Sequence, residues 1–400
     1  MPGRKEEDWS LTPEWFRCLY SPTASTRAER DAMDSSELTD SGRAFRALLD
    51  VLRDADATFL IGPRAGLDEL GIAEGYRHLT HVLGYALDLY LEGDPLRPCL
   101  TPLASPTRKM LGDNVDSRYF FAPLIGGRRY RIHGRRGNEV YLAFCVYGGK
   151  PDGEWSDRVV ANVSQRDLKF SSDGSFEIVL SPEPPSPPPQ NWIKLDADAV
   201  CVITREYYTD IESAQPARFA IHALDAVDAP APLDDAWLAH RLRAVATFIR
   251  ETIEFAPIPP LPVTNALLPP MPWSPTVRGW GTPDNIYALG AFELEPDQAL
   301  VIDGRSPACV YWGVQLWNHY MQSLDYRYRR VSINHAQARL ASDGSWRVVI
   351  AHRDPGVPNW LDTAGHRRGL FFCRWLQAAE LPDAPTCTVV SLADLKRVER

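Results

Sequence analysis

Apolar positions first recur at three- and four-residue steps. Phe45, Leu48, Leu49, Leu52, Ala55 and Phe59 run to a stop at Gly62-Pro63, and Ile72, Tyr76, Leu79, Leu83, Ala86, Leu87 and Tyr90 run to Gly93-Asp94-Pro95. Such steps place apolar side chains on one helix face, so the spacing predicts a helical hairpin laid against a sheet. From Arg108 the period falls to two, with strands at 130–134 and 140–147 bounded by glycine turns and continuing past Ser171-Ser172-Asp173-Gly174-Ser175. A third helical face, Leu238, Leu242, Val245, Phe248, Ile249 and Ile253, follows Leu233-Asp234-Asp235. A proline-dense stretch at 257–275 is then expected to span distance rather than pack. The proline run 181–189 cannot donate to a ladder and must lie outside the sheet or at its edge. Residues 1–40 are polar and mixed, with Trp9 and Trp15-Phe16 as the groups that would dock onto the body.

The strand pattern is written twice. Asp116, Tyr119, Gly134, Tyr141 and Tyr147 are answered by Asp284, Tyr287, Gly304, Tyr311 and Trp317, with Asp to Tyr three, Gly to Tyr seven and Tyr to the next aromatic six in both copies. Val163-Ser164, the Ser-Asp-Gly-Ser turn at 172–175, Asn191-Trp192 and Arg205 likewise return as Val331-Ser332, 342–345, Asn359-Trp360 and Arg374. Short strands with frequent turn signals predict a mainly β chain with helical additions, built from two related antiparallel β-sandwich repeats of jelly-roll type. The expected divisions are a helical region at 1–106, a first repeat at 107–210, a helix and proline-rich linker at 211–283, and a second repeat at 284–400.

Duplication supplies an internal comparison, in which shared residues read as scaffold and unshared ones as candidates for function. Only the second copy carries Asn334-His335, His352-Arg353-Asp354, and Asp362 with His366. Alternation puts His352 at the end of the apolar row Trp346, Val348, Ile350, with Asp354 two residues on. A rim of three histidines and two aspartates is the chemistry of an acid–base pair or a metal site. His352 would act as acid or base, steered by Asp354, with His335 and His366 as polar contacts, Arg353 for an anionic group and Asp362 beside them. In strand 310–317, Val310, Trp312, Val314 and Leu316 form a core face. The opposite face, Tyr311, Gly313, Gln315 and Trp317, either packs as a second layer or lines a concave site. His78 and His81, with Glu74 one turn earlier, could bind a metal but lack a second ligand cluster. No metal is assigned, and the residues name no cofactor.

Composition narrows the classes. A net charge of −9 opposes a nucleic-acid partner, although arginines gather at 128–136 and 327–330. Seven cysteines, odd in number and without a CxxC pair, fit neither a disulfide framework nor a zinc knuckle, and point to a reducing compartment. Without an apolar leader or an 18-residue apolar window, the expectation is a cytoplasmic protein with no membrane partner. Neither a phosphate loop nor a nucleophile elbow occurs.

The phrases Asp284-Asn-Ile-Tyr287, Trp312-Gly-Val-Gln-Leu-Trp-Asn318, Ser323-Leu-Asp-Tyr-Arg-Tyr328, Ser332-Ile-Asn-His335 and 352–362 resemble the bacterial family catalogued as domain of unknown function 1214. The resemblance covers at least 277–377, implies a two-jelly-roll outline, and brings no catalytic residues to carry over. The expected function is binding of a small, partly apolar organic molecule in the second repeat, with His/Asp proton-transfer or hydrolytic chemistry as its enzymatic form. A non-catalytic carbohydrate- or lipid-binding module, and an assembly protein in which the copies pack as a pseudo-symmetric pair, are the alternatives; a homo-oligomer is compatible with each.

Overall fold

The computed structural model describes residues 38–60, 67–258 and 260–398; Trp9, Trp15, Phe16, Cys18 and the Gly62-Pro63 stop lie outside them. Helix α1 is Asp40–Leu60, α2 is Glu69–Ala86 with a π turn at Leu87–Leu91, α3 is Asp235–Phe255 and α4 is Leu392–Val398. Asp68 caps α2 by accepting from the Gly71 amide, and Asp234 caps α3 by accepting from that of Trp237. On α3 the buried face is the expected one, Leu242, Val245, Phe248, Ile249 and Ile253. On the first two helices it is partly displaced: Leu48, Ala55 and Ala86 are buried as expected, and Leu52, Leu79, Leu83, Leu87 and Tyr90 pack against the core. In α1 the buried row is Ala44, Leu48, Val51 and Ala55, leaving Phe45 51% exposed, and in α2 it contains His78, His81, Val82 and Tyr85 while Ile72 and Tyr76 face outward. The cause is the partner. Rather than closing a hairpin on α2, α1 lies along α3, where the Asp40 and Ser41 amides donate to Asp235.

The strands are β1 (Thr101–Pro102), β2 (Ser117–Pro123), β3 (Tyr130–Arg135), β4 (Tyr141–Gly148), β5 (Arg158–Ser164), β6 (Ser175–Ser181), β7 (Trp192–Lys194), β8 (Ala199–Tyr207) and β9 (Arg218–Ala223). They continue with β10 (Ala266–Leu267), β11 (Met271–Pro272), β12 (Asn285–Glu293), β13 (Gln298–Gly304), β14 (Tyr311–Trp317), β15 (Ser332–Asn334), β16 (Trp346–Ala351), β17 (Trp360–Asp362), β18 (Arg368–Leu376) and β19 (Thr386–Ser391). In the first sandwich β1-β2-β8-β4-β5 faces β7-β6-β3-β9; in the second β10-β12-β18-β14-β15 faces β17-β16-β13-β19. Apart from β1 and β10 the orders correspond strand for strand, down to the parallel pairs β6–β7 and β16–β17. Phe144, Ile178 and Val202 fill one core, and Val314, Val348 and Phe371 the other.

Shared residues have visible structural work. Asn191 ties Lys169 to Glu177, and Asn359 ties Arg339 to Arg347, each through its side-chain amide. A Cβ at Gly134 would meet the backbone of Arg218 at 2.3 Å, and one at Gly304 the Trp346 ring at 2.4 Å, so both copies need glycine there. Two boundaries differ from the sequence reading. The first sandwich takes in β9, beyond 210, and the proline-rich stretch packs, with β10 and β11 both pairing with β12.

The two large sheets meet through their outer faces, where Tyr141, Ala143, Tyr207, Tyr311 and Leu376 cluster. Contacts across this junction are exchanged in kind. Tyr141 donates to Asp284 and Tyr311 to Asp116, each at 2.7 Å; Tyr147 donates to the Gly281 carbonyl and Trp317 to that of Asp113. Arg205 reaches the Trp280 carbonyl and Arg374 that of Gly112, residues that stand four before Asp284 and Asp116 respectively. Each repeat thus holds the other's lead-in segment. Asp116 is only 2% exposed whereas Asp284 is half-buried. Removing a donor from a buried carboxylate costs more than from a wet one, so Tyr311→Phe should destabilise by about 2 kcal/mol and Tyr141→Phe by under about 1 kcal/mol. Urea unfolding of the two variants checks the order.

Candidate ligand site between the repeats

Where the sheets diverge beyond the Tyr141–Tyr311 cluster, they enclose a cavity of about 480 Å³. Alternation along β2, β8, β12, β14 and β18 turns Tyr119, Arg205, Tyr207, Tyr287, Trp317, Phe372 and Arg374 onto the outer sheet faces and into its wall. The rest of the wall comes from the lead-in segments, including Met110, Leu111 and Gly112 before the first repeat and Leu268, Pro269, Trp273 and Trp280 before the second. Gly112 has φ +73°, a conformation glycine adopts without strain, and its carbonyl accepts from Arg374 at 3.2 Å. Met271 and Val277 border the cavity and are solvent-exposed, which puts its mouth at the proline-rich stretch.

Two arginines dominate the electrostatics. Arg374 Nη1 donates to Tyr207 at 2.8 Å and Tyr119 at 3.3 Å, its guanidinium lying 5.5 Å from the Tyr287 and Phe372 ring centres. Arg205 Nη2 donates to Tyr147 at 2.8 Å, and its Nη1 has no acceptor. Burial alone would favour losing the protons, but the surrounding phenols outweigh it and hold both guanidinium pKa values above the ordinary one. Burial raises the phenols in turn, Tyr287 to about 12. Tyr207 is the exception: burial pushes it up, yet Arg374, the Asn285 amide and Arg205 bring it below 10.

Most of the residues singled out in the sequence stand elsewhere. Of those, Trp317 lines the cavity, while Tyr311 and Gln315 border a small recess beside it with Arg374 and Phe372. Gln315 donates to the Asp113 carbonyl at 2.8 Å and accepts from the Val115 amide, fixing the lead-in of the first repeat. The rim cluster is not assembled. His352 contacts the Thr363 hydroxyl at 2.8 Å and the Leu294 carbonyl at 3.0 Å, whereas Asp354 is exposed and accepts from the Gly356 amide, as a turn opener does. Arg353 is exposed. His335 stands edge-on to Tyr311, 5.8 Å between ring centres, and burial lowers its pKa. Asp362 pairs with Arg329 at 2.9 Å. His366 pairs with Glu74 on α2 at 3.0 Å; burial pulls it down, but Glu74 prevails and raises it above 6.5. Strand alternation had given the side of the sheet but not the loops that separate these groups. His78 and His81 do face one way, into the interior: His78 stacks on Tyr320 at 5.1 Å and His81 Nδ1 accepts from the Lys109 amide at 3.2 Å. Among the described residues no three His, Cys, Asp or Glu side chains stand close enough to hold a metal, and no helix is long and apolar enough to cross a membrane.

The molecule is thus a duplicated β-sandwich protein whose repeats enclose a cavity at their junction. A family model described as protein of unknown function DUF1214 matches residues 121–210 and 292–379, one stretch in each sandwich. The fold is similar to the crystal structure of an uncharacterised protein from Burkholderia cenocepacia, with 34% identity, a TM-score of 0.80, and coverage of 88% of this chain and 98% of that one. A protein from Vibrio parahaemolyticus also matches, at 12% identity and a TM-score of 0.46, over 78% of this chain and 96% of that one. No curated protein matches the sequence. The chain belongs to the DUF1214 family.

The buried histidines give a pH signature. Burial lowers His78 to about 3 and His81 to about 4, from 6.5. Between about 4 and 6.5 the unfolded chain therefore binds protons that the native one does not, and stability falls as pH falls, by at most about 1.4 kcal/mol per pH unit for each. His366, raised in the fold, acts oppositely: its contribution is present below 6.5 and is lost as pH rises through its folded value. Melting curves at pH 5 and 7 should show His78→Phe losing less stability at the lower pH than the wild type, and Glu74→Gln losing more.

Proposed function

We propose that the protein binds a small, largely apolar organic molecule in the cavity between its repeats. The observation that carries this is the wall itself, a volume of about 480 Å³ faced by Trp317, Phe372, Trp273, Trp280, Leu289 and Met110, with few polar groups among them. Such a volume lies within the usual range for small-molecule sites, and an apolar lining with few polar groups is their ordinary composition. Water held against so much aromatic surface is readily displaced by an apolar body. A sugar fits less well, because few side-chain donors and acceptors are present for its hydroxyls. The pseudo-symmetric packing foreseen for an assembly protein is here the means by which the walls are made.

Binding is the reading the geometry supports best. If the site also performs chemistry, Tyr207 is the group placed for proton transfer, since Arg374 favours its deprotonated form. The His352–Asp354 rim contributes nothing to this cavity.

A neutral dye that brightens in apolar surroundings, such as Nile red, should bind the wild type. Leu289→Trp, which fills the cavity, should weaken it by about tenfold or more, the effect of losing about 1.4 kcal/mol of contact. His352→Ala should bind as the wild type does. Equal binding by Leu289→Trp and the wild type would place the dye elsewhere and remove the reading.

A further inference from the structure

We infer that the bound molecule is an anionic amphiphile, a single carboxylate on an apolar body, with its carboxylate held at Arg205 and Arg374. This rests on the cavity reading above and names the chemical class of its occupant. Both arginines border the cavity, and at 4% and 6% exposure neither charge is solvated from outside. Among the described residues neither forms an ion pair. Their polar partners are phenols, those of Tyr119, Tyr147 and Tyr207, and the backbone carbonyls of Gly112 and Trp280. The carboxylates of the junction are engaged by other donors: Asp116 accepts from Tyr311 and Asn334, Asp284 from Tyr141 and Gln377, and Asp113 from Ser323.

Two buried cations with no carboxylate in contact are costly to fold, because a charge removed from water needs a partner of opposite sign, and Asp113 and Asp116 act on Arg374 only from beyond ion-pair distance. The clamping of the lead-in segments would be met by neutral donors. A guanidinium offers planar paired donors that match a carboxylate, and Arg205 Nη1 is left without an acceptor. The head group is small: Arg374 already spends Nη1 and Nη2 on protein oxygens, so the free donors suit two oxygens better than the three of a phosphate. Around them the wall is mainly aromatic and aliphatic out to the exposed Met271 and Val277, with Arg278 paired to Glu251 and Asp113 engaged by Ser323, so the anionic end enters first and the apolar part extends toward the mouth.

The test is displacement of Nile red from the full chain by dodecanoate, its methyl ester and dodecyl phosphate, at a pH where the carboxylate is ionised. Dodecanoate should displace the dye at a concentration about tenfold or more below the ester, the difference made by one charge-assisted hydrogen bond. Arg205→Met should keep dye binding and lose most of that preference; since it can also disturb the fold, the acid-to-ester ratio on the wild type is the primary measurement. An ester as effective as the acid, or dye binding that dodecanoate does not affect, overturns the inference while the cavity reading stands. A phosphate stronger than the carboxylate overturns the head-group assignment. Absence of dye binding itself removes the cavity reading instead.

Discussion

The structure depends on covering one apolar surface. Every residue of β4 and of β14 is buried, so each of these strands is apolar or sealed on both faces. One face belongs to its own sandwich core; the other has to be covered by something else, since an exposed aromatic sheet face of this size would associate. The helices cover part of the outer face of the first large sheet, with Tyr85, Phe248 and Ile249 packed near Cys145, Tyr147 and Ile203. The second repeat covers the rest. Neither sandwich is therefore a free-standing unit, and the exchanged hydrogen bonds set how the two lie together.

That exchange also explains why the junction is hollow on one side. Tyr141 and Tyr311 close the sheets against each other where their rings meet Tyr207, 5.4 and 5.3 Å away between ring centres. Beyond them the strands carry Arg205 and Arg374, whose side chains reach outward to the Trp280 and Gly112 carbonyls rather than across to one another. Like charges oppose closure, and the lead-in segments they hold become walls. Cavity and clamp are thus two results of one arrangement, and the cost of the buried charges falls on the same place that remains open to an anion.

Much of the fold was legible. Period-two alternation on β14 separates Trp312, Val314 and Leu316, which fill the core of the second sandwich, from Tyr311 and Trp317, which are buried on its outer face in other clusters. The paired landmarks from Asp116 to Arg205 and Asp284 to Arg374 gave strand correspondence, because the same turns and clamps need the same residues. Helix orientation was legible only in part on α1 and α2: Leu48, Ala55 and Ala86 are buried as expected, but small Ala44 and polar His78 and His81 also face the interior while Phe45 and Tyr76 stay outside, so weighting by size and polarity displaces the stripe. The proline-rich stretch was misjudged for a related reason. Proline withholds a donor but leaves a carbonyl and an apolar ring, and Pro269 and Pro272 use the ring as wall beside the short pairings to β12.

The face Tyr311, Gly313, Gln315 and Trp317 leads to the candidate site, but the arginines and tyrosines that complete it are hidden by the comparison that shows the fold. Comparing the copies directs attention to residues present in one copy only, on the premise that whatever is shared is scaffold. That premise holds when a site lies within one repeat. It fails when the site lies on the pseudo-twofold between them, because each copy then contributes the corresponding position and the site residues are duplicated with everything else. Arg205 with Arg374 and Tyr119 with Tyr287 are such pairs, both bordering the cavity. The available signal was chemical: an arginine two residues before the end of a largely apolar strand, Cys201-Val-Ile-Thr-Arg205 and Leu370-Phe-Phe-Cys-Arg374, opposite a small residue, Ala143 and Gly313, on the neighbouring strand. A charge repeated at the same buried place in both copies calls for an explanation that packing does not supply, and in a duplicated chain that place is the junction between the copies.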